Sequence, residues 1–179
     1  SALALAIPGR DQRMDAQFAR INELVDEAIA AVRRIASELR PPVLDDFGLP
    51  AAIHFAADDF QRDTSIACEV SIRPDDFPAE ATTAIVLYRI LQEALTNVAR
   101  HSGATSVEVR LRSDERDLLL EVRDNGRGVE EAQIHDPTSL GLTGMRERAA
   151  LVNGELRIEG VPARGTIVSV RIPVTAEKK

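Results

Sequence analysis

The chain has 179 residues, 44% of them hydrophobic, no Trp, and a formal net charge of −7. That size suits one domain with an appendage and ample apolar content for a core. The acidic total argues against a general nucleic-acid binder, which needs a basic face, so no direct nucleic-acid partner is expected. An anionic ligand stays open, because backbone N–H groups and a metal build a phosphate site locally. Cys68 is the one cysteine, so no intrachain disulfide can form, which suits a reducing compartment. No apolar run approaches the length of a bilayer span, and a cytoplasmic location is expected.

Residues 1–7 are apolar but lack a charged leader, and they read as the cut end of something longer rather than a secretory signal. After Pro8-Gly9, the residues Met14, Phe18, Ile21, Val25, Ala28, Val32, Ile35 and Leu39 alternate spacings of four and three up to Pro41-Pro42. This is an a/d heptad seam on a helix that the prolines must end. A lone helix cannot bury such a stripe. It packs either on its own domain or, as the narrow and sustained seam favours, in a helical bundle with another chain. Residues 1–45 are therefore read as part of a dimerisation arm and residues 46–179 as a separate domain.

Val43-Leu44-Asp45-Asp46-Phe47-Gly48 reads as a connector, followed by an amphipathic helix over about 49–62. Residues 66–72 alternate as a strand. Pro78 suits the first position of a helix running to about His101. Four further alternating runs, 106–112, 117–123, 155–159 and 166–172, predict strands. A polar loop over 130–140 follows the second of them, then a helix over about 143–152 ended by Asn153-Gly154. The fold class is α+β: a sandwich with helices on one face of a mixed sheet, preceded by a long helix of a dimerisation bundle.

Three short segments carry chemistry. On the helix before His101, Glu93 and Asn97 are four apart and project side by side at the border of the stripe Ile85, Tyr88, Leu91, Leu95 and Val98. A carboxylate and an amide oxygen so placed suit Mg²⁺, a hard cation that keeps several waters. Asn97 would ligate the metal and Glu93 would hold a metal-bound water or polarise an attacking group, with Arg100 and His101 in reach of phosphate. The bland alternative pairs Arg89 with Glu93 and leaves Asn97 in solvent.

The second segment, Asp124-Asn125-Gly126-Arg127-Gly128, ends a strand. Its carboxylate accepts hydrogen bonds only, so it selects a donor such as the 6-amino group of adenine, and Gly126 and Gly128 let backbone approach a ligand. An Asp-Asn-Gly hairpin turn is the alternative, but Val129-Glu130-Glu131 does not start a return strand. The third segment, Gly141-Leu142-Thr143-Gly144-Met145, opens a helix whose N-terminus offers N–H groups and the positive dipole end to phosphates. Arg146 and Arg148 are either phosphate contacts or surface charge, and Gly144 is alternatively a close-packing glycine. The loop between the second and third segments is placed to act as a lid.

In this order the segments resemble the N, G1 and G2 boxes of the GHKL ATPases, the Bergerat fold shared by sensor histidine kinases, Hsp90-type chaperones, type II topoisomerases and MutL-type proteins. The likeness runs from about Asn22 to Pro173 and is strongest to sensor histidine kinases that signal to LuxR/NarL-type response regulators. It rests on Glu38-Leu39-Arg40-Pro41-Pro42-Val43-Leu44-Asp45-Asp46-Phe47-Gly48-Leu49 as the junction, Leu91-Gln92-Glu93-Ala94-Leu95-Thr96-Asn97-Val98-Ala99-Arg100-His101 as the N box, and Gly-Leu-Thr-Gly-Met-Arg-Glu-Arg over 141–148 as the G2 box.

The resemblance implies ATP and Mg²⁺ as cofactors, Glu93 as the catalytic acid and Asn97 as the metal ligand. It implies a nucleotide site of Asn97, Arg100, His101, Asp124, Gly126, Gly128, Gly141, Leu142, Gly144, Met145 and Thr166. It further implies a homodimer through the N-terminal helix and transfer of the γ-phosphate to a histidine on a dimerisation helix, then to a response regulator. Ala163 stands where a Gly-x-Gly-Thr run is usual, and Arg100 where many relatives have Lys. None of His54, His101 and His135 has the setting of a phosphate acceptor, so ATP binding is expected without self-phosphorylation. Intact Glu93, Asn97, Asp124 and Gly128 speak against a dimerisation module with a decayed site. The alternatives with another chemistry are an ATPase that uses ATP as a conformational clamp and an anti-sigma-type serine kinase. The heptad arm and its Pro-Pro junction speak against both.

Overall fold

Alternating apolar residues assemble the sheet, and its register can be read in rows. The strands are β1 (Ala67–Arg73), β2 (Ser106–Ser113), β3 (Asp117–Asp124), β4 (Glu155–Val161) and β5 (Gly165–Pro173). In this computed structural model, which describes residues 42–74, 79–113, 116–134, 136, 139–161 and 164–173, they form a five-stranded sheet of order β1-β2-β3-β5-β4. Only β1 and β2 are parallel, so the sheet is mixed as expected. One row across the inner face is Val70, Val109, Val122, Val168 and Ile158. The next is Ile72, Leu111, Leu120, Val170 and Leu156. Val109, Leu111 and Val170 are completely buried. Each such side chain contributes roughly 1.5–3 kcal/mol relative to exposure.

The outer face carries charge instead. Arg110 forms an ion pair with Glu108 at 2.6 Å and reaches Glu121 across to β3 at 3.4 Å. Such partly exposed pairs are worth about 0–1 kcal/mol each. They keep that face wet and leave the helical layer to one side.

That layer comprises α1 (Pro42–Thr64), α2 (Ala81–Asn97) and α4 (Leu140–Ala150), with the short α3 (Glu131–Ile134) before it. α1 packs on α2 and β1, and α4 on α2 and β4. Leu87, Ile90 and Leu91 of α2, with Ile53 of α1 and Met145 of α4, are fully buried between the layers.

Several boundaries differ from the sequence-based expectation. The expected connector at 43–48 is helical, and α1 is two helices joined at Gly48, whose φ of 76° and ψ of 178° break the spiral. Leu44 and Leu49, 7% and 2% exposed, anchor both sides of that break, and their burial outweighs the turn chemistry of Asp-Asp-Phe-Gly. α2 begins at Ala81 and gives way after Asn97 to a π-helical turn, Val98–Ser102. α4 begins at Leu140, with Ser139 at its N-cap position, so the expected start at Thr143 is late. It ends at Ala150, and Asn153 beyond it takes a left-handed φ of 54°. The heptad arm over 14–39, Pro78, His135 and Ala163 lie outside the described residues. The chain divides between Pro41 and Pro42 into two units, and the described residues belong to the second. None of their helices is long and apolar enough to cross a membrane.

Candidate functional site

The C-terminal end of α2 is shaped by one serine. The Ser102 hydroxyl donates to the Val98 carbonyl at 2.8 Å and accepts the Ala104 N–H at 2.9 Å. Gly103 then turns the chain with a left-handed φ of 63°. This closes the wide π turn, a form frequent at functional sites. Arg100 and His101 are thereby exposed on the turn, a helical turn beyond the half-buried Glu93 and Asn97. The Asn97 side chain makes no capping bond at the π turn it precedes.

Asp124 ends β3 at the inner-face position, where the rows of that face would otherwise place an apolar side chain, and it is 5% exposed. A carboxylate so buried needs donors. It has them: Oδ1 accepts the Gly126 N–H at 2.7 Å, and Oδ2 accepts the Thr166 N–H of β5 at 3.2 Å. Charge-assisted bonds of this kind are worth about 1.5–3 kcal/mol each. They fix the carboxylate's direction and leave it further acceptor capacity toward the cavity.

The loop after Asp124 is held by close backbone approaches that need glycine. A methyl group on Gly165, whose φ is 94°, would overlap the Asp124 carbonyl, and one on Gly160 would overlap the Val129 carbonyl. A Cβ on Gly126 would lie 2.8 Å from Ser102 Cβ and 2.9 Å from Asp124 Oδ1. The Arg127 N–H donates to the Ser102 carbonyl at 2.9 Å. The expected base-binding loop is thus wedged among the π turn, β5 and β4. It runs on into α3 and does not return as a hairpin.

Across from α2, the expected lid loop carries α3. Arg146 of α4 donates to the Ile134 carbonyl at 2.7 Å, and Ser139 Oγ to the Gln133 carbonyl at 3.2 Å. Arg146 thus ties α4 to α3 through one of its guanidinium nitrogens. Gly141 lies in the first turn of α4, directly on Glu93; a side chain there would meet Glu93 Oε1. Gly144, expected in a phosphate turn, is inside α4. A Cβ there would lie 3.0 Å from Arg148 Nη1, which runs back along the helix.

One cavity of about 420 Å³ joins these parts, a size ordinary for small-molecule sites. Glu93, Asn97, Arg100, His101, Asp124, Gly128, Gly141, Leu142 and Thr166 line it. Gly126, Gly144 and Met145 do not. Gly126 supports the loop from behind, and the Met145 side chain is fully buried in the core, which corrects its expected place among the nucleotide contacts. Sequence reasoning passed over the apolar wall of Ala94, Val98, Val122, Ile158 and Val168, and the polar Ser102 and Gln133. Ile158 and Val168 are register neighbours on the inner face, so strand alternation could have found the wall once the strand order was known.

Comparison with known proteins places these features in a family. Residues 82–176 match the family described as histidine kinase-, DNA gyrase B- and HSP90-like ATPase. The chain is 38% identical over 158 residues to the oxygen sensor histidine kinase NreB of Staphylococcus carnosus, covering 87% of this chain and 45% of that protein. It is 36% identical over 184 residues to the sensor histidine kinase MctS of Rhizobium johnstonii, covering 98% of this chain and 39% of that one. The chain thus spans less than half the length of these relatives. Among solved structures, a histidine kinase domain from Erythrobacter litoralis superposes with a TM-score of 0.57 at 27% identity, covering 70% of this chain and 61% of that one. The histidine kinase AdeS of Acinetobacter baumannii gives 0.59 at 13% identity, covering 93% and 87%, a likeness of fold alone. With one cavity lined by Glu93, Asn97, Asp124, Gly128 and Gly141, drawn from all three segments, the chain belongs to the histidine kinase-, DNA gyrase B- and HSP90-like ATPase family.

Proposed function

We propose that residues 46–179 are the ATP-binding catalytic domain of a two-component sensor histidine kinase, and that residues 1–45 carry part of its dimerisation helices. The observation that carries this reading is a cavity with Asp124 braced in its wall and Glu93 and Asn97 on the helix beside it. The base end accepts a hydrogen bond from an amino group, which adenine offers and guanine does not at that place. Arg100 supplies positive charge for phosphates and His101 a ring N–H.

The residues present fit Mg²⁺. Among the described residues no group of three His, Cys, Asp or Glu forms an all-protein metal cage, but Asn97 and Glu93 offer two hard oxygen donors. That is the donor set of a cation that takes its remaining ligands from water and phosphate. When bound, the ion would neutralise charge building on the phosphates. Asn97 would hold it, and Glu93 would orient a water or the attacking imidazole. The γ-phosphoryl would pass from ATP to an imidazole nitrogen of a dimerisation helix, ADP leaving, and then to an aspartate of a LuxR/NarL-type response regulator. The homodimer would form through the heptad seam at 14–39.

Calorimetric titration with Mg-ATP and Mg-GTP tests the base end. ATP binding with weak or absent GTP binding is expected, and equal affinities would overturn the reading. Radiolabelled ATP with an added acceptor-helix segment tests the transfer, which predicts acid-labile label on that segment.

A further inference from the structure

We infer that Asn125 is a positioning residue that fixes the base-selecting carboxylate relative to the phosphate-facing Arg100 and His101. The inference rests on the adenine-nucleotide reading of the cavity. Asn125 does not line that cavity, and it is exposed. Its side chain nevertheless makes three hydrogen bonds to the turn between the π helix and β2. Oδ1 accepts the N–H groups of Thr105 at 2.9 Å and Ser106 at 3.1 Å, and Nδ2 donates to Thr105 Oγ1 at 3.0 Å. Its own N–H donates to the Ser106 carbonyl at 3.2 Å. The far side of the same turn is held by β1, whose Ala67 N–H donates to the Thr105 carbonyl at 3.1 Å.

The consequence follows from chain connectivity. Arg100 and His101 precede that turn by a few residues, and Asp124 is the neighbour of Asn125. The two halves of the site approach the nucleotide from different elements, 20 residues apart at the Thr105–Asn125 link. Backbone ties cross that gap where Val107 pairs with Asp124 and where the Arg127 N–H meets the Ser102 carbonyl, and the Asn125 side chain adds three bonds between them. Because the bonds are exposed, water can replace them at small cost to stability. Water cannot reproduce the fixed directions of these three bonds, and a site left loosely supported loses function before it loses its fold. The effect of removing Asn125 therefore falls on recognition.

The chemistry also says which substitute works. Aspartate keeps two acceptors for the Thr105 and Ser106 N–H groups, and the Thr105 hydroxyl can turn to donate to it. Alanine keeps nothing. Calorimetry of the unmutated chain, Asn125→Ala and Asn125→Asp with Mg-ATP and Mg-GTP, each with a melting curve, tests this. Asn125→Ala is expected to lose about tenfold in ATP affinity and to narrow the ATP-over-GTP ratio with the melting temperature held within a few degrees, while Asn125→Asp stays within about threefold of the unmutated chain. Unchanged affinity and ratio in Asn125→Ala would overturn the inference, as would equal losses in both variants, or a loss accompanied by a matching fall in melting temperature. Should Asn125→Ala not fold, Thr105→Val removes the Nδ2 bond alone and is expected to lose about threefold; no loss there would overturn it equally. If the unmutated chain itself fails to prefer ATP, the nucleotide reading falls first.

Discussion

Asp124 and Thr166 lie 42 residues apart in sequence, and the backbone N–H of Thr166 donates to Asp124 Oδ2 at 3.2 Å. A strand neighbour thus supplies what the buried carboxylate needs, and Gly126 supplies the rest on Oδ1 at 2.7 Å. Asp124→Asn sets two expectations. An amide has one acceptor atom, so its NH₂ must face one of these N–H donors, and the clash costs about 1–3 kcal/mol of stability. The amide can also turn its donor toward either base, so the ATP preference is lost. A melting curve and paired ATP and GTP titrations check both; unchanged stability would mean the bracing bonds carry little.

Glycines here separate by what surrounds them. Gly165, at φ 94°, has the Asp124 carbonyl where a Cβ would sit, whereas Gly103, at φ 63°, has nothing within 4 Å. Gly103→Ala therefore meets only the left-handed backbone cost, about 1–2 kcal/mol. Gly165→Ala adds a backbone collision that no side-chain rotation relieves, and should cost at least about 3 kcal/mol and weaken nucleotide binding by displacing Asp124. Urea denaturation of the two variants should order them so; equal losses would refute the packing argument.

The sequence was most informative where periodicity is strict. The inner-face positions Val107, Val109, Leu111, Leu118, Leu120 and Val122 were readable from alternation and are all buried. The pairing of β5 between β3 and β4 was not, because strand order depends on contacts far apart in sequence. Glu93, Asn97 and Asp124 were legible as oxygen donors at meaningful spacing, and the structure gathers them around one cavity. Met145 is a core side chain, fully buried, because a motif marks a segment and not how deeply each of its residues is buried. Gly48 read as a loop signal because turn chemistry is local, while the burial of Leu44 and Leu49 is tertiary. Asn125 sits in the second motif with no role legible in the sequence, since its partners Thr105 and Ser106 become neighbours only when β2 and β3 pair.

Cys68 offers a check remote from the site. Burial pushes its thiol up from 9.0 to about 11, and the charge of Asp58 adds to this. At pH 8 the thiolate fraction is then roughly a hundredfold lower than for an ordinary thiol, and alkylation should slow accordingly in the native chain and recover in urea. The same shift has a sign for stability. The folded state binds the proton more tightly, so the contribution is complete below pH 9 and fades as pH rises toward about 11. Cys68→Ala should flatten that part of the alkaline stability curve, and an identical curve in the variant would show that other groups govern it.

Asn97 lines the cavity and makes no side-chain cap to the π turn it precedes. A half-buried amide with no such duty contributes little to the fold. Asn97→Ala should therefore leave the melting temperature within a few degrees, the usual range for a substitution away from core and caps. Its effect should fall on the metal. If its oxygen ligates Mg²⁺, titrations of the unmutated chain with ATP will tighten on adding Mg²⁺, and those of Asn97→Ala will not. Glu93→Gln serves as the comparison. It keeps an oxygen toward Gly141 but removes the charge, so it should weaken the Mg²⁺ effect without abolishing it. The informative quantity is the ratio of ATP affinities with and without Mg²⁺ in each chain, because it cancels any general loss of binding. A ratio in Asn97→Ala equal to that of the unmutated chain would remove Asn97 from the metal site, and a large fall in melting temperature with the ratio intact would make it a structural amide.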